Sequence, residues 1–228
     1  MAKYILFEGT EGAGKGTQIE KIVKYLEDKG YSVLQTKEPG TPHLKVTEEQ
    51  RKIMLDNKYK DQMSKKGREL QSQSIRSNHL VKVIEPGLKK YDFIIQDRGL
   101  VSGLAYGEAC DNPLEFLEYL SRAIVADIGK EMETLYDLVI YLDTDAKEGL
   151  KRAKNAKQEF EEGDAMESQG DEFMLQVQEN FYKNLKKFNS EKITVEILDD
   201  KEKGIEKTFN KIIQAFKDHK ILEQKDEN

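Results

Sequence analysis

A chain of 228 residues has room for one sizeable α/β core or two small ones. Hydrophobic residues make up 37%, charged residues 35%, and the net charge is -6, which argues against a dedicated nucleic-acid binder while allowing a local cationic pocket. The single cysteine, Cys110, leaves no internal disulfide and points to a cytoplasmic protein. No apolar run approaches the roughly 20 residues of a membrane span, and the N-terminal residues read as strand rather than as a leader.

Along the chain, apolar runs at 4–7, 32–36, 93–96, 138–142 and 193–198 predict buried strands. Between the first two, Ile19, Ile22, Val23 and Leu26 follow helical spacing, and Gly30 supplies a stop. A second long helix carries Ile75, Val83, Ile84 and Leu88, with Pro86 as its kink or end. Asp111 and Asn112 before Pro113 read as a cap for a helix bearing Leu117, Leu120, Ile124 and Ile128. Phe173, Val177, Phe181, Leu185 and Phe188 form another stripe, and Phe209, Ile212, Ile213 and Phe216 the last. Strands alternating with helices predict an α/β fold, a doubly wound parallel sheet of five strands with helices on both faces. Ligands then bind at the carboxyl ends of the strands. No linker or repeat interrupts the chain, so one domain is expected over 1–228. The charged segment 151–170 is either a solvated helix end or a lid, and the tail from 217 is expected to fray.

The stretch from Gly9 to Lys15 fits G-x-x-x-x-G-K, follows a strand and opens a helix. Its glycines let backbone N–H groups converge on phosphate oxygens, and Lys15 reaches the outer phosphates. Gly9, Gly12, Ala13, Gly14, Lys15, Gly16 and Thr17 are therefore candidate ATP-binding residues. Ser or Thr commonly follows the Lys to hold magnesium. Here Gly16 stands there and Thr17 comes next, leaving open whether Thr17 holds the metal through water.

Four segments, "FEGTEGAGKGTQ", "TKEPGTP", "DFIIQDRG…S…AYGE" and "DLVIYLD…GLKRAK", occur in an order and spacing that resembles thymidylate kinases. The resemblance spans residues 3–190 and is weakest within the lid. It implies ATP as phosphoryl donor, Mg2+, a deoxynucleoside monophosphate as acceptor, and a homodimer. Asp97 matches a residue serving the metal, and Arg98 one gripping the acceptor phosphate, although the pair could also be structural. Glu11 matches the carboxylate that accepts from the sugar 3′-hydroxyl. Glu38 and Pro39 lie in the matching Glu-Pro-Gly turn, where Lys37 replaces an Arg. Arg76 matches a residue that hydrogen-bonds the base, and Tyr106 one that crowds the 2′ position.

The sequence departs from that pattern at the base. Ser72 stands where an aromatic residue stacks, and Gly103 where Asn or Gln lies near the base. Stacking is worth about 0.5–1.5 kcal/mol beyond burial, so a roomier, more polar pocket for a modified or different base, such as a 5-substituted deoxyuridylate, is expected. In the lid, Asp164-Ala165 replaces Asp-Arg, and Arg152 is the expected catalytic cation, with Lys151, Lys154 and Lys157 as its alternatives or helpers. His43, His79 and His219 have no metal-site spacing, and Cys110 reads as incidental. Three other readings remain: a GTPase, disfavoured because "NKYK" lacks the guanine-reading acid; a non-catalytic nucleotide-binding module; and a kinase for another base, such as dGMP, or for a broad set.

Overall fold

The computed structural model describes residues 1–145, 148–149, 151–152 and 164–222. Five strands, β1 (Lys3–Glu8), β2 (Val33–Lys37), β3 (Phe93–Asp97), β4 (Leu138–Asp143) and β5 (Ser190–Thr194), form one sheet in the order β2-β3-β1-β4-β5, with every pairing parallel. The alternation of strand side chains builds two cores. Tyr4, Leu6, Ile94, Val139 and Tyr141 pack on one face; Ile5, Phe7, Phe93, Ile95, Leu138, Ile140 and Leu142 pack on the other. Both faces of the central strands are covered, which is why those strands read as continuous apolar runs.

The second face is closed by α1 (Lys15–Asp28), through Ile19, Ile22 and Leu26, and by α8 (Lys201–Asp218), through Ile212, Ala215 and Phe216. α1 ends as its sequence predicts. Gly30 adopts φ +87°, its N–H reaches Glu27 O at 2.8 Å, and Tyr31 N–H reaches Leu26 O at 3.1 Å, the paired bonds of a left-handed C-terminal cap. The first face is closed by the turn Leu80–Ile84, α4 (Glu85–Lys90), α5 (Leu100–Ala109), α6 (Leu114–Ala126) and α7 (Asp171–Leu185); α3 (Lys65–His79) leads into that turn and packs on α6. A further helix, α2 (Lys45–Leu55), packs on α3.

The second long helix breaks next to Pro86, the expected kink or end: Leu80–Ile84 forms a π-helical turn before Pro86 in the first turn of α4. Proline removes an amide and its ring crowds the carbonyl four residues back, and the wider turn accommodates both. Asn112 does not cap α6; its amide nitrogen donates to Gly107 O at 3.1 Å, and Pro113 occupies the cap position. Ile128 lies beyond the end of α6. The last strand sits three residues earlier than expected at its start, at Ser190–Thr194, because β5 is an edge strand with only Ile193 buried. Beyond Val195, whose N–H still reaches Asp143 O at 2.9 Å, the chain leaves the sheet and Ile197 is exposed. Of the tail expected to fray, the part to residue 222 is packed: α8 runs to Asp218, and Ile221 and Leu222 are buried; residues 223–228 lie outside the described residues. Among the described residues no helix is long and apolar enough to cross a membrane.

Candidate active site

Adjacent strands β1 and β3 deliver two turns to the same edge of the sheet. After β1 the chain wraps through residues 9–14, with Gly12 at φ +70° and Gly14 at φ +84°. A Cβ on Gly12 would fall 2.0 Å from the carbonyl oxygen of Gly149, so the loop's close approach to that segment requires glycine. Gly14 caps α1 with no side-chain bond of its own, and the helix N-terminus opens onto the cavity. Lys15 lies folded back, its Nζ donating to the carbonyls of Gly9 and Thr10, each at 3.1 Å. Burial and the neighbouring Arg98 push the Lys15 ammonium below its usual range, although Asp97, Glu11 and Glu8 act the other way. Gly16 and Thr17 are exposed at the cavity wall.

At the end of β3, Arg98 adopts φ +60°. Its guanidinium donates to Ser102 Oγ at 3.1 Å and Glu11 Oε1 at 2.5 Å and lies 5.5 Å from the centre of the Tyr106 ring. Tyr106 Oη donates to the same Glu11 oxygen at 3.3 Å. Burial alone would raise the Glu11 carboxyl, but Arg98 and Lys15 outweigh it and hold it below the usual carboxylate range. Asp97 Oδ1 is buried and has no hydrogen-bond partner among the described residues. Behind this group stands Glu8, a residue the sequence reading missed. Its carboxylate accepts from Gly99 N at 2.9 Å, Ser102 N at 2.9 Å and Ser102 Oγ at 2.5 Å. It thereby caps α5 and fixes the turn that carries Arg98. Only its place as the last residue of a strand facing a helix start could have signalled it.

The turn after β2 and the face of α3 form a second cluster. Glu38 Oε2 accepts from Arg76 Nε at 2.9 Å, and Glu38 Oε1 lies 2.9 Å from His79 Nδ1. Burial pushes Glu38 up, but Arg76 and His79 together bring it below the usual range. Arg76 also donates to Gln73 Oε1 at 3.1 Å and Gly99 O at 3.3 Å. A Cβ on Gly103 would fall 2.5 Å from Arg76 Nη2. The room at Gly103 is therefore filled by the Arg76 guanidinium and adds no space to the pocket. Pro39 and Ser72 lie on the cavity wall beside this cluster. His79 is fully buried in it, Nε2 2.8 Å from Thr36 Oγ1.

These groups surround one cavity of about 900 Å3. Arg152 enters it from the segment after β4. A Cβ on Gly14 would lie 3.8 Å from Arg152 Nη2, and Arg152 Nη1 is buried without a hydrogen-bond partner among the described residues. Lys154 and Lys157 lie outside the described residues. Ala165 is fully buried, its N–H bonded to Leu55 O at 2.7 Å, so that position presents no side chain to the cavity. Arg51 on α2, Arg68 and Glu69 on α3 also line it; sequence reasoning missed all three. Arg51 donates to Pro39 O at 2.9 Å. Among the described residues no cluster of three or more His, Cys, Asp or Glu could hold a metal by itself. The unpartnered Asp97 oxygen suits a cation held jointly with a ligand's phosphates, as Mg2+ is when it keeps waters and takes one carboxylate.

A family model described as thymidylate kinase matches residues 7–212. A thymidylate kinase of Finegoldia magna is 30% identical over 224 residues, 96% of this chain and 100% of the relative. One from Geobacillus sp. strain WCH70 is 30% identical over 221 residues, 95% and 96% of the two chains. A crystal structure of thymidylate kinase from Ehrlichia chaffeensis superposes with a TM-score of 0.70 at 23% identity, covering 95% of this chain and 98% of the other; that likeness speaks for the fold.

Proposed function

Because the chain belongs to the thymidylate kinase family, the nucleoside monophosphate kinases, we propose that it carries the γ-phosphoryl group of ATP to a deoxynucleoside monophosphate, dTMP or a related 5-substituted dUMP. The observation that carries this reading is the convergence of Lys15, Arg98 and Arg152 with Glu11 and Asp97 on one cavity. Both substrates are polyanions and the acceptor is already a phosphate oxygen, so no strong general base is needed. Positioning and charge neutralisation carry the catalysis.

In this reading the acceptor phosphate oxygen attacks Pγ as the bond from Pγ to the β–γ bridging oxygen breaks, and ADP leaves. Backbone amides from Gly9 to Thr17 cradle the ATP phosphates. Lys15 gives up its carbonyl contacts for phosphate oxygens, and Arg152 bears on the group in flight. Arg98 holds the acceptor phosphate while still tethered to Glu11, whose carboxylate takes the 3′-hydroxyl. Tyr106 bears on C2′. Glu38, Pro39, Ser72, Arg76 and Gly103 bound the base. Asp97 would hold Mg2+, with Thr17 as a ligand through water. When bound, that ion neutralises and orients phosphate oxygens. The lid is assigned to residues 151–170, of which 153–163 lie outside the described residues, within a single kinase domain. The same reading makes the protein a cytoplasmic homodimer, which sedimentation at micromolar concentration checks by a mass twice 26.3 kDa.

The test is ADP release from ATP and Mg2+ with dTMP, dUMP, 5-hydroxymethyl-dUMP, dGMP, dAMP, dCMP and UMP. Turnover with dTMP or a 5-substituted dUMP supports the reading. Preference for a purine moves the chain to a kinase of another base, and ATP binding without turnover makes it a non-catalytic module.

A further inference from the structure

Helices α3 and α5 meet through a row of polar side chains set against two glycines. On α3, Glu69, Gln73 and Arg76 are spaced four and three residues apart and so share a face. Gln73 Nε2 donates to Glu69 Oε1 at 2.6 Å, and Gln73 Oε1 accepts from Arg76 Nη1 at 3.1 Å. Opposite, a Cβ on Gly103 would fall 2.5 Å from Arg76 Nη2, and one on Gly107 would fall 3.2 Å from Glu69 Oε2. Residues one helical turn apart have Cβ positions separated by about 5–6 Å. The guanidinium and the carboxyl therefore sit against successive turns of α5 on one wall of the cavity.

Arg76 and Glu69 both line the cavity, as do Gly103 and Gly107. Glu69 is only 7% exposed. One of its oxygens is occupied by Gln73, and the other lies on the Gly107 side, at the cavity wall. A ligand that covers this oxygen and offers it no donor incurs a desolvation cost. Burial pushes this carboxyl up, with only partial relief from Gln73 and Arg76. An apolar methyl group on the base leaves that oxygen unsatisfied, whereas an O–H or N–H satisfies it. Ser72, one turn along the same helix, leaves room for such a group beside α3.

We infer that Glu69 is a base-reading residue, and that the preferred acceptor offers it a hydrogen-bond donor, O–H or N–H, alongside the carbonyl that Arg76 takes. This rests on the monophosphate-kinase reading. A hydroxyl on a C5 arm of uracil and the amino edge of guanine share that chemistry.

The experiment is steady-state kinetics with ATP and Mg2+ on dTMP, 5-hydroxymethyl-dUMP and dGMP, for the unmodified chain, Glu69→Leu and Glu69→Gln. The unmodified chain should favour one donor-bearing base over dTMP in kcat/KM, and which one wins separates the C5 arm from the guanine edge. Glu69→Leu should lower the ratio of that base to dTMP by about 10- to 100-fold, the loss of a hydrogen bond to a charged group. In Glu69→Gln the amide oxygen stays on Gln73 and the nitrogen faces the cavity, so the preference should move toward bases that accept there. Rotational packing alone would weaken all three bases alike. An unmodified chain that prefers dTMP, or ratios that both variants leave within about twofold, overturns the inference. Should no monophosphate be turned over, the kinase reading fails instead. Calorimetric binding of the same three nucleotides to the same three chains then decides: a shifted ratio of affinities supports the role of Glu69, and unchanged ratios overturn it.

Discussion

Arg152 brings a buried, unpartnered guanidinium nitrogen to the phosphate loop. A donor left without an acceptor in a low-dielectric site is poised for charge that develops there. Arg152→Ala should lower kcat by about 100-fold or more while moving the Kd for ATP far less, and Arg152→Lys should restore part of the rate. Equal changes in both constants would place the residue in ground-state binding. Glu38 makes a prediction about pH. Its carboxyl is held below the usual range, so its stabilisation is whole above the unfolded value of about 4.3 and is lost as pH falls through the lower folded value. The melting temperature of the chain should therefore drop on acidification below about pH 5. Glu38→Gln should be less stable at pH 7, by about 3–5 kcal/mol for one partner of a buried pair, and flatter in acid. Parallel melting curves would show that Glu38 does not titrate with folding. At this scale, Lys15 was legible because spacing and context identify a phosphate loop, and Arg98 because the resemblance to thymidylate kinases implies a role for the Asp-Arg after the third strand. Glu8 and Glu69 were not, because isolated carboxylates in a chain that is 35% charged give no signal until the fold buries them.

Secondary structure was legible where one face is apolar and the other wet. α1, α7 and α8 carry stripes that the fold buries. α5 has no stripe to read: seven of its ten residues are buried, so it is apolar all round and lacks periodicity. α2 fails for the opposite reason, since Val46 and Ile53 are exposed while Thr47 is buried. These two helices position Tyr106, Gly103 and Arg51, so the half of the cavity proposed for the acceptor was the harder half to foresee. α7 supports that half through Phe181, whose ring lies 6.2 Å from Tyr106 and 5.3 Å from Tyr141. Phe181→Ala should cost about 3–5 kcal/mol, read as a lower urea midpoint at constant m-value. It should also raise KM for the monophosphate, because Tyr106 loses its backing. Tyr119, 71% exposed on α6, is the control: its replacement by Ala should stay within about 0.5 kcal/mol. A KM that holds steady in Phe181→Ala would mean that Arg98 and Glu11 alone fix Tyr106.

Parallel topology gives the whole molecule its polarity. Because β1 and β3 are neighbours and end together, the phosphate loop and Arg98 face each other, which gives the proposed reaction a cationic meeting point for its two polyanions despite a net charge of -6. From that meeting point α5 leads away for ten residues, about 15 Å at 1.5 Å per residue, to Cys110 at its C-terminal end. Cys110 lines the cavity and is the chain's one cysteine, so its alkylation reports occupancy of the acceptor end alone. Burial pushes its thiol up, and the thiolate is the reactive form, so the rate should still be climbing above pH 8.5, the ordinary thiol value. A saturating monophosphate should slow alkylation by about tenfold or more, whereas ATP with Mg2+, seated at the loop, should slow it by less than about twofold, since screening by contact does not extend across the length of α5. Equal protection by both nucleotides would mean that the donor reaches the α3–α5 end, and the division of the cavity between donor and acceptor would have to be reversed.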